Sequence, residues 1–320
     1  VHGILKRNSV AENQTARLDD CYEQLHLYYG DLTDLSSLIQ ILQKVQKHNI
    51  HKYEQLEVYN LAAQSHVRIS FDVPVYTSQA DAVGVLNVLE ACRLICPNAR
   101  IYQASSSEMF GNCVDDDGFQ RETTPMRPVS PYGCAKVFGY NIARNYRHSY
   151  NMFISNGILF NHESPRRGSN FVTSKIVQGA IAIASGEETE LRLGNLDAKR
   201  DWGHAKDYVE AMWMMLQAKK PEDYICATGI SHSVRDCCEY VFNKLKLDYK
   251  DYVVLDEKYL RPEELHDLKG DATKIREDLG WKPKYTFENL MDDMIINDEN
   301  YYKAVKFGGE YVHTPYDTCK

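Results

Sequence analysis

Strand-like and helix-like segments alternate through the first two-thirds of this 320-residue chain. Apolar residues cluster as in buried strands at 56–63 and 101–105, and they recur at helical spacing at 83–92 and 132–150. Such alternation is typical of a parallel sheet that is covered by helices. The sequence therefore predicts an α/β fold with a doubly wound, Rossmann-type parallel sheet.

The alternation loosens after residue 160, where short strands separate helices such as the one predicted over residues 287–296. We therefore predict a smaller C-terminal α/β substrate-binding domain. In this division, residues 1–160 form the nucleotide-binding domain. Residues 161–320 mainly bind the substrate, with some segments returning to the sheet.

Composition excludes several classes of protein. Hydrophobic residues make up 43% of the chain, enough for a sizeable core, yet no apolar run approaches the roughly 20 residues of a membrane helix. The formal net charge of −8 disfavours a sequence-independent nucleic-acid binder, which needs a basic face. The nine cysteines include no CxxC pair, and we expect no signal peptide at the start of the chain. We expect reduced thiols and a cytoplasmic protein that binds neither membranes nor nucleic acids.

The glycine-rich turn that normally opens a dinucleotide-binding fold is missing, because no G-x-G-x-x-G occurs anywhere. Either the chain does not bind a dinucleotide, or its first strand and turn are absent from the given sequence. We favour the second reading and expect both in a longer parent chain. Residues 1–5 then form the second strand, and Lys6, Arg7, Asn8 and Ser9 lie at its tip. Basic residues there favour NADP over NAD, although they could equally be solvated surface charges.

A tyrosine followed four residues later by a lysine places both side chains on one helical face, where the ammonium can stabilise a phenolate base. Four pairs have this spacing: Tyr132/Lys136, Tyr240/Lys244, Tyr302/Lys306 and Tyr316/Lys320. Context selects the first pair, because it opens a helix in the sheet region and follows Ser105, Ser106, Ser107 and Glu108 at a strand end. Ligands of open α/β sheets bind beyond the carboxyl ends of strands.

Each of these features has a plainer interpretation. The serines could form an ordinary polar turn, Glu108 could be a solvated acid, and Tyr132 and Lys136 could lie on an exposed helix. Their joint arrangement at one predicted sheet edge favours an active site.

Several motifs resemble a known enzyme family. The segments Ala104-Ser-Ser-Ser-Glu108, Ser130-Pro-Tyr-Gly-Cys-Ala-Lys136 and Gly30-Asp-Leu-Thr-Asp34 resemble extended short-chain dehydrogenase/reductases acting on nucleotide sugars. Within that group, the chain most resembles the GDP-mannose 4,6-dehydratase family, and this more specific resemblance is carried by residues 60–67, 157–168 and 194–212. The resemblance covers essentially the whole chain. It departs from the family at the missing turn, at Ser106, which stands for the family's catalytic threonine, and in the longer segments 47–56 and 112–118.

The resemblance implies a hydro-lyase that converts GDP-mannose to GDP-4-dehydro-6-deoxy-mannose and water with tightly held NADP. Tyr132 would deprotonate the 4-hydroxyl while hydride leaves C4, Ser106 would bind that oxygen, and Lys136 would hold the phenolate and the nicotinamide ribose. Glu108 would take the C5 proton and help the 6-hydroxyl leave, after which hydride returns to C6. This is the first step towards GDP-deoxyhexoses such as GDP-fucose or GDP-rhamnose. The family also implies a homodimer or homotetramer, with the polar stretch 8–17 near the partner subunit.

The resemblance also assigns binding residues and no metal. Besides Lys6, Arg7, Asn8, Ser9, Tyr132 and Lys136, the implied cofactor contacts are Asp31, Leu32, Leu61, Ala62, Ala63, Gln64, Ser65, Tyr76, His162 and Arg167. The implied substrate contacts are Ser65, Ser106, Asn161, Val172, Lys175, Arg200, Arg261 and Glu264. By itself, His162 would more often be a hydrogen-bonded structural histidine.

Two alternatives remain open on the sequence. A 4-epimerase, or a dehydratase acting on dTDP- or UDP-sugars, would share the tyrosine and lysine, although an epimerase has no need of Glu108. A catalytically idle NADP-binding regulator could share the fold but would have no use for that acid.

Overall fold

A computed structural model describes residues 1–6, 18, 21–49 and 55–307. Two compact units are built from interleaved segments. The first comprises Val1–Gly111, Pro125–Ile158 and Met212–Tyr224, and the second comprises Asn112–Thr124, Leu159–Ala211 and Ile225–Lys320. The predicted assignment of residues 1–160 to the nucleotide and 161–320 mainly to the substrate stays a prediction.

The secondary structure follows the alternation that the sequence predicts. The strands are β1 (His2–Leu5), β2 (His26–Tyr29), β3 (Glu57–Asn60), β4 (Arg100–Ser106), β5 (Phe153–Leu159), β6 (Asn161–Glu163), β7 (Leu191–Leu193), β8 (Lys199–Arg200), β9 (Trp202–His204), β10 (Asp223–Cys226), β11 (His232–Ser233), β12 (Val253–Leu255) and β13 (Asp267–Leu268). The helices are α1 (Leu35–Asn49), α2 (Val67–Asp72), α3 (Pro74–Ser78), α4 (Gly84–Ile95), α5 (Pro131–Ser149), α6 (Val172–Ala184), α7 (Ala205–Gln217), α8 (Val234–Lys244), α9 (Thr273–Leu279) and α10 (Phe287–Phe307).

The first unit is organised around a four-stranded sheet with the strand order β10-β5-β4-β3. Strands β3 and β4 are parallel, with Glu57 opposite Arg100 and Asn60 opposite Gln103. Strands β1 and β2 form a separate parallel pair. The predicted α/β fold with a parallel sheet is confirmed.

Apolar faces of the helices bury the sheet of the first unit. Leu38 of α1 and Leu89 of α4 share one core cluster with Ile101 of β4 and Ile154 of β5. Helix α1 begins after Asp34, whose side chain accepts a hydrogen bond from the backbone N–H of Ser36 at 3.0 Å and so caps the helix. Packing therefore fixes β4, whose carboxyl end carries the predicted site.

The second unit contains three small sheets. These are the parallel pairs β7–β12 and β6–β9, and a three-stranded sheet with the order β11-β8-β13. Its core lies among helices α6, α8 and α10, where Ile176, Phe242 and Leu290 are fully buried. Among the described helices, none combines the length and apolar character that crossing a bilayer requires.

Three regions differ from the sequence prediction. The strand predicted over residues 56–63 ends at Asn60, which leaves Leu61–Ser65 as a loop at its carboxyl end. The helix predicted over residues 287–296 continues to Phe307. Helices α2 and α3, followed by a π-helical segment Gln79–Val83, fill a region without a predicted element, because such short helices show no sustained apolar period.

Candidate active site

The carboxyl end of β4 leads directly into a 3₁₀ turn, Ser107–Phe110, that carries the predicted acid. The hydroxyl of Ser106 accepts a hydrogen bond from the backbone N–H of Glu108 at 3.3 Å, and both residues are only 8% exposed. Gly111 ends the turn with φ of 60°, and a Cβ atom there would lie 1.8 Å from the carbonyl oxygen of Arg127. Only glycine fits that position, so the local sequence dictates where the turn ends.

Helix α5 begins beside this turn. The hydroxyl of Ser130 accepts a hydrogen bond from the N–H of Gly133 at 3.0 Å, and a proline occupies the first helical position. A Cβ atom on Gly133 would lie 2.9 Å from the carbonyl oxygen of Glu108. The missing side chain therefore lets the start of α5, with Tyr132, approach the turn that carries Glu108.

Lys136 lies one helical turn after Tyr132 and is 4% exposed. Its ammonium donates a hydrogen bond to the carbonyl oxygen of Ala104 at 3.1 Å and lies 5.5 Å from the centre of the Tyr132 ring. Burial lowers the pKa of Lys136, and the carboxylate of Asp81 opposes that shift. A cation in this place stabilises a phenolate, which is the form that acts as a base.

The other tyrosine–lysine pairs have different surroundings. Tyr240 and Lys244 both hydrogen-bond the carboxylate of Asp292, at 2.9 and 3.0 Å, and the lysine side chain is 46% exposed. Lys306 is also exposed and donates to the hydroxyl of Tyr302 at 2.7 Å. The fourth pair, at positions 316 and 320, lies outside the described residues. Tyr132 and Lys136 are thus a buried pair next to a strand end, whereas the two other described pairs lie at the surface.

Three predicted cofactor residues meet at the end of β1. The ammonium of Lys6 donates to the hydroxyl of Tyr76 at 2.7 Å and lies 3.3 Å from the carboxylate of Asp31. The bond to Tyr76 is the main cause that raises the pKa of Lys6. Leu32 follows, and its carbonyl oxygen accepts from Asn87 at 2.7 Å. The predicted contacts Arg7, Asn8 and Ser9 lie outside the described residues, and so does the stretch 8–17 that we expect near a partner subunit.

Five further predicted contacts form the loop Leu61–Ser65 after β3. Leu61, Ala62 and Ser65 are exposed, and Ala63 and Gln64 are partly buried. The backbone N–H of Gln64 donates to the carboxylate of Asp81 at 2.7 Å. The loop therefore presents side chains and backbone at the carboxyl end of a parallel strand, where open α/β sheets bind ligands.

In the second unit, Asn161 and His162 lie on β6. The imidazole Nδ1 of His162 donates to the carbonyl oxygen of Phe160 at 2.9 Å, and the ring stacks on Tyr208 with 4.9 Å between centroids. Burial lowers the pKa of His162 to about 4. The ring is therefore neutral at physiological pH, and its Nδ1 carries the proton that is donated to the carbonyl oxygen of Phe160.

Arg167 lies in the segment between β6 and α6. Its guanidinium forms an ion pair of 2.8 Å with the buried carboxylate of Glu163 and lies 3.5 Å from the centre of the Phe171 ring. Val172, a predicted substrate contact, is the first residue of α6 and is partly buried. Glu163 also accepts a hydrogen bond from the hydroxyl of Thr173 at 2.8 Å. The carboxylate of Glu163 therefore connects β6 with Arg167 in the following loop and with Thr173 on α6.

The remaining predicted substrate residues lie elsewhere in the second unit. The ammonium of Lys175 lies 3.4 Å from the centre of the Tyr259 ring and donates to the carbonyl oxygen of Arg192 at 2.6 Å. Such a cation–π contact fixes the lysine at a partly buried position.

Arg200 and Arg261 differ in what their polar groups contact. Buried Arg200 donates to the carbonyl oxygens of Lys199 and Leu265, at 2.7 and 3.1 Å. The backbone N–H of Arg261 donates to the carboxylate of Glu264 at 2.9 Å, which fixes the turn that carries both residues. Their roles towards a substrate stay predictions.

Sequence reasoning missed three residues that build this site. Asp81 holds the loop after β3, Ser70 accepts from the N–H of Tyr132 at 3.3 Å, and Gly133 lets α5 approach Glu108. A signal for Asp81 was present, because it lies four residues before Val85, on the apolar face of the helical segment. Within the described residues, no group of three His, Cys, Asp or Glu side chains is placed to hold a metal ion.

Comparison with known proteins gives a consistent result. A family model described as GDP-mannose 4,6 dehydratase matches residues 1–294. A Drosophila melanogaster protein called GDP-mannose 4,6 dehydratase is 46% identical over 325 residues, which cover 93% of this chain and 79% of that protein. GDP-mannose 4,6 dehydratase 1 of Arabidopsis thaliana is 47% identical over 318 residues, covering 96% of this chain and 84% of the relative.

A solved structure shows the same fold at low identity. The protein RMD from Pseudomonas aeruginosa, complexed with NADPH, superposes with a TM-score of 0.76 at 18% identity, covering 93% of this chain and 98% of its own. The family match spans nearly the whole described chain and includes the buried turn and helix described above. The chain therefore belongs to the GDP-mannose 4,6 dehydratase family, whose members are hydro-lyases.

Proposed function

We propose that this protein removes water from GDP-mannose and produces GDP-4-dehydro-6-deoxy-mannose. The observation that carries the proposal is the burial of Ser106, Glu108, Tyr132 and Lys136 on two adjoining elements at one strand end. This set contains a hydroxyl donor, an acid and a cation-supported phenol, which are the groups that an oxidation followed by an elimination requires. Curated relatives that carry the dehydratase name support the substrate.

We propose NADP as the cofactor, held by the carboxyl ends of β1 and β3. The donor set fits a phosphate-bearing dinucleotide, because Lys6 supplies a cation at the end of β1 and the exposed loop Leu61–Ser65 offers backbone groups. Asp31, Leu32, Tyr76 and Lys136 would complete the first unit's contacts, and we assign Arg7, Asn8, Ser9, His162 and Arg167 to the same cofactor. A structure with the same fold holds NADPH. Bound NADP supplies reversible hydride acceptance, from C4 of the sugar and back to C6.

In the oxidation step, the phenolate of Tyr132 removes the proton of the 4-hydroxyl. Lys136 stabilises that phenolate, since its buried ammonium lies 5.5 Å from the centre of the ring. Ser106 donates a hydrogen bond to the same sugar oxygen as it becomes a carbonyl. The serine provides the hydroxyl that this step needs, and it lacks only the methyl group of a threonine.

In the elimination step, the 4-keto group acidifies the C5 proton, which Glu108 removes as a base. The same carboxyl group then gives a proton to the departing 6-hydroxyl, which leaves as water. Glu108 is mostly buried on a turn whose two ends are fixed by Ser106 and Gly111. A fixed carboxylate can serve both steps because C5 and C6 are adjacent atoms of the sugar.

We assign recognition of the GDP-sugar to Ser65 and Ser106 and, in the second unit, to Asn161, Val172, Lys175, Arg200, Arg261 and Glu264. Arginine suits the diphosphate because its fork donates two hydrogen bonds at once. We also propose a cytoplasmic homodimer or homotetramer that makes the precursor of GDP-deoxyhexoses such as GDP-fucose or GDP-rhamnose. Eight described cysteines without a disulfide among them are consistent with a reducing compartment.

The test is mass spectrometry of GDP-, dTDP- and UDP-sugars after incubation with the full-length protein and NADP⁺. Loss of one water from GDP-mannose alone is the expected result. Glu108→Gln should stop this loss and also stop deuterium exchange at C5, because the amide cannot accept the proton. Unchanged masses with bound NADP⁺ would contradict the dehydration, and an unchanged rate in Glu108→Gln would contradict the assigned acid.

A further inference from the structure

A fully buried carboxylate without an assigned role lies beside the proposed active site. Asp81 has no solvent exposure. One of its oxygens accepts from the backbone N–H of Gln64 at 2.7 Å, and the other has no hydrogen-bond partner among the described residues. Burying a carboxylate in this way costs folding free energy unless a nearby charge compensates for it.

The compensating charge is supplied by Lys136. Asp81 lies in the π-helical segment Gln79–Val83, which packs directly on α5. Gly139 of α5 allows this approach, because a Cβ atom there would lie 3.2 Å from Val85 and 3.5 Å from the carbonyl oxygen of Asp81. Lys136, one turn earlier on α5, is also buried, and its ammonium hydrogen-bonds the neutral carbonyl group of Ala104.

The two buried charges act on one another electrostatically. The carboxylate of Asp81 raises the pKa of Lys136 against the larger lowering by burial. Burial is in turn the main cause that raises the pKa of Asp81 to about 6, and both the Gln64 N–H and Lys136 oppose that rise. At neutral pH the carboxylate is therefore mainly ionised and favours a charged lysine.

The π turn that contains Asp81 explains how this one side chain interacts with both the loop Leu61–Ser65 and helix α5. A π turn carries one extra residue, and such turns occur often at functional sites. Here the π-helical segment packs on α5 and its Asp81 also accepts from Gln64 of the loop Leu61–Ser65, so a single carboxylate acts on Gln64 and Lys136 together.

We propose that Asp81 is a positioning residue of the dehydratase, which holds the cofactor loop through Gln64 and keeps Lys136 cationic as its buried counter-charge. The inference rests on the proposed roles of Tyr132 and Lys136. Besides Asp81, the elements packed on α5 carry further ionisable groups, which include Glu108 of the 3₁₀ turn, Arg68 and Asp72 of α2, Tyr76 of α3 and Tyr102 of β4, and α5 itself carries Tyr132.

The decisive variant is Asp81→Asn, which keeps an oxygen acceptor for Gln64 and removes the charge. ¹³C NMR of the lysine ε-carbons follows the titration of Lys136 in the cofactor-free protein, with Lys136→Arg to assign the signal. We expect the midpoint to fall by about one pH unit. The alkaline limb of kcat should move down by a similar amount, and NADP⁺ binding should stay within about twofold of wild type.

Asp81→Ala removes the acceptor as well and should also weaken NADP⁺ binding about tenfold, the effect of one lost hydrogen bond to a charged group. The matched control is Glu90→Gln. This carboxylate of α4 accepts from the hydroxyl of Tyr146 at 2.5 Å, and Tyr146 lies more than two helical turns after Lys136 on α5. Its removal should leave the titration of Lys136 unchanged.

An unchanged Lys136 titration and an unchanged alkaline limb in Asp81→Asn would overturn the inference. If Asp81→Asn does not fold, the titration of Lys136 in the wild-type protein tests the inference instead. A Lys136 that is neutral at pH 7 in the folded wild-type protein would also overturn the inference. A wild-type enzyme that leaves GDP-mannose intact, or a fully active Lys136→Met, would instead refute the proposed function.

Discussion

Replacing Lys136 by methionine tests the electrostatic basis of the proposed base. Methionine keeps most of the buried volume and removes the charge 5.5 Å from the Tyr132 ring. With an effective dielectric constant of about 20, a unit charge at this distance is worth about 3 kcal/mol to the phenolate. That energy corresponds to about two pH units. We expect the acidic limb of kcat to move up by about two units, which lowers the rate at neutral pH about 100-fold.

The assay is the pH dependence of GDP-mannose dehydration at saturating NADP⁺, which separates the phenolate from cofactor affinity. The matched control is Lys244→Met, since Tyr240 and Lys244 have the same spacing but are bound to Asp292 at the surface. The control should keep the wild-type profile. An acidic limb that stays in place in Lys136→Met, at any level of kcat, would refute the electrostatic role.

Three further predictions concern the site and its support. Gly133→Ala should lower the free energy of unfolding by about 1–3 kcal/mol and reduce the dehydration rate, because its Cβ atom would lie 2.9 Å from the carbonyl oxygen of Glu108. Urea unfolding and a rate assay measure the two effects, and wild-type values in both would contradict the predicted clash. Ser106→Ala should lower kcat about 100-fold whereas Ser106→Thr should retain activity, since the hydroxyl is the group in use; equal rates in the two variants would refute its role. Burial lowers the pKa of His162 to about 4, so the unfolded chain, with a pKa near 6.5, takes up the proton first. Stability present above about pH 6.5 should therefore fall as the pH drops towards 4, by at most about 3 kcal/mol. Urea unfolding should show a shallower loss in His162→Gln, and the same slope as wild type in the exposed control His148→Gln.

Much of the fold was predictable from local pattern. The strand at Arg100–Ser106 and the helix at Pro131–Ser149 lie within one or two residues of their predicted positions, because burial selects a continuous apolar strand and an apolar helical face. Helices α2 and α3 and the π turn were missed, since they are too short to show a period. The predicted strand extends to residue 63 for a related reason, because the apolar residues Leu61, Ala62 and Ala63 continue beyond Asn60, the last paired position.

The four predicted catalytic residues illustrate what the sequence by itself determined. The motifs around Ser106, Glu108, Tyr132 and Lys136 indicated both the chemistry and the family, because each residue type has a distinct chemical use. The spacing of tyrosine and lysine could not identify the pair alone, since it occurs four times in the chain.

Tertiary structure decided which tyrosine–lysine pair is buried and which carboxylate acts on its lysine. Lys136 is buried, hydrogen-bonds the carbonyl oxygen of Ala104 and interacts electrostatically with Asp81, whereas Lys244 has the same helical spacing and is exposed. Burial and long-range contact depend on how distant segments pack, and local sequence does not encode either one. The proposed role of Asp81 could not be predicted from local sequence for the same reason. It depends on the packing of three separate segments, which are the π turn, the loop that contains Gln64 and helix α5.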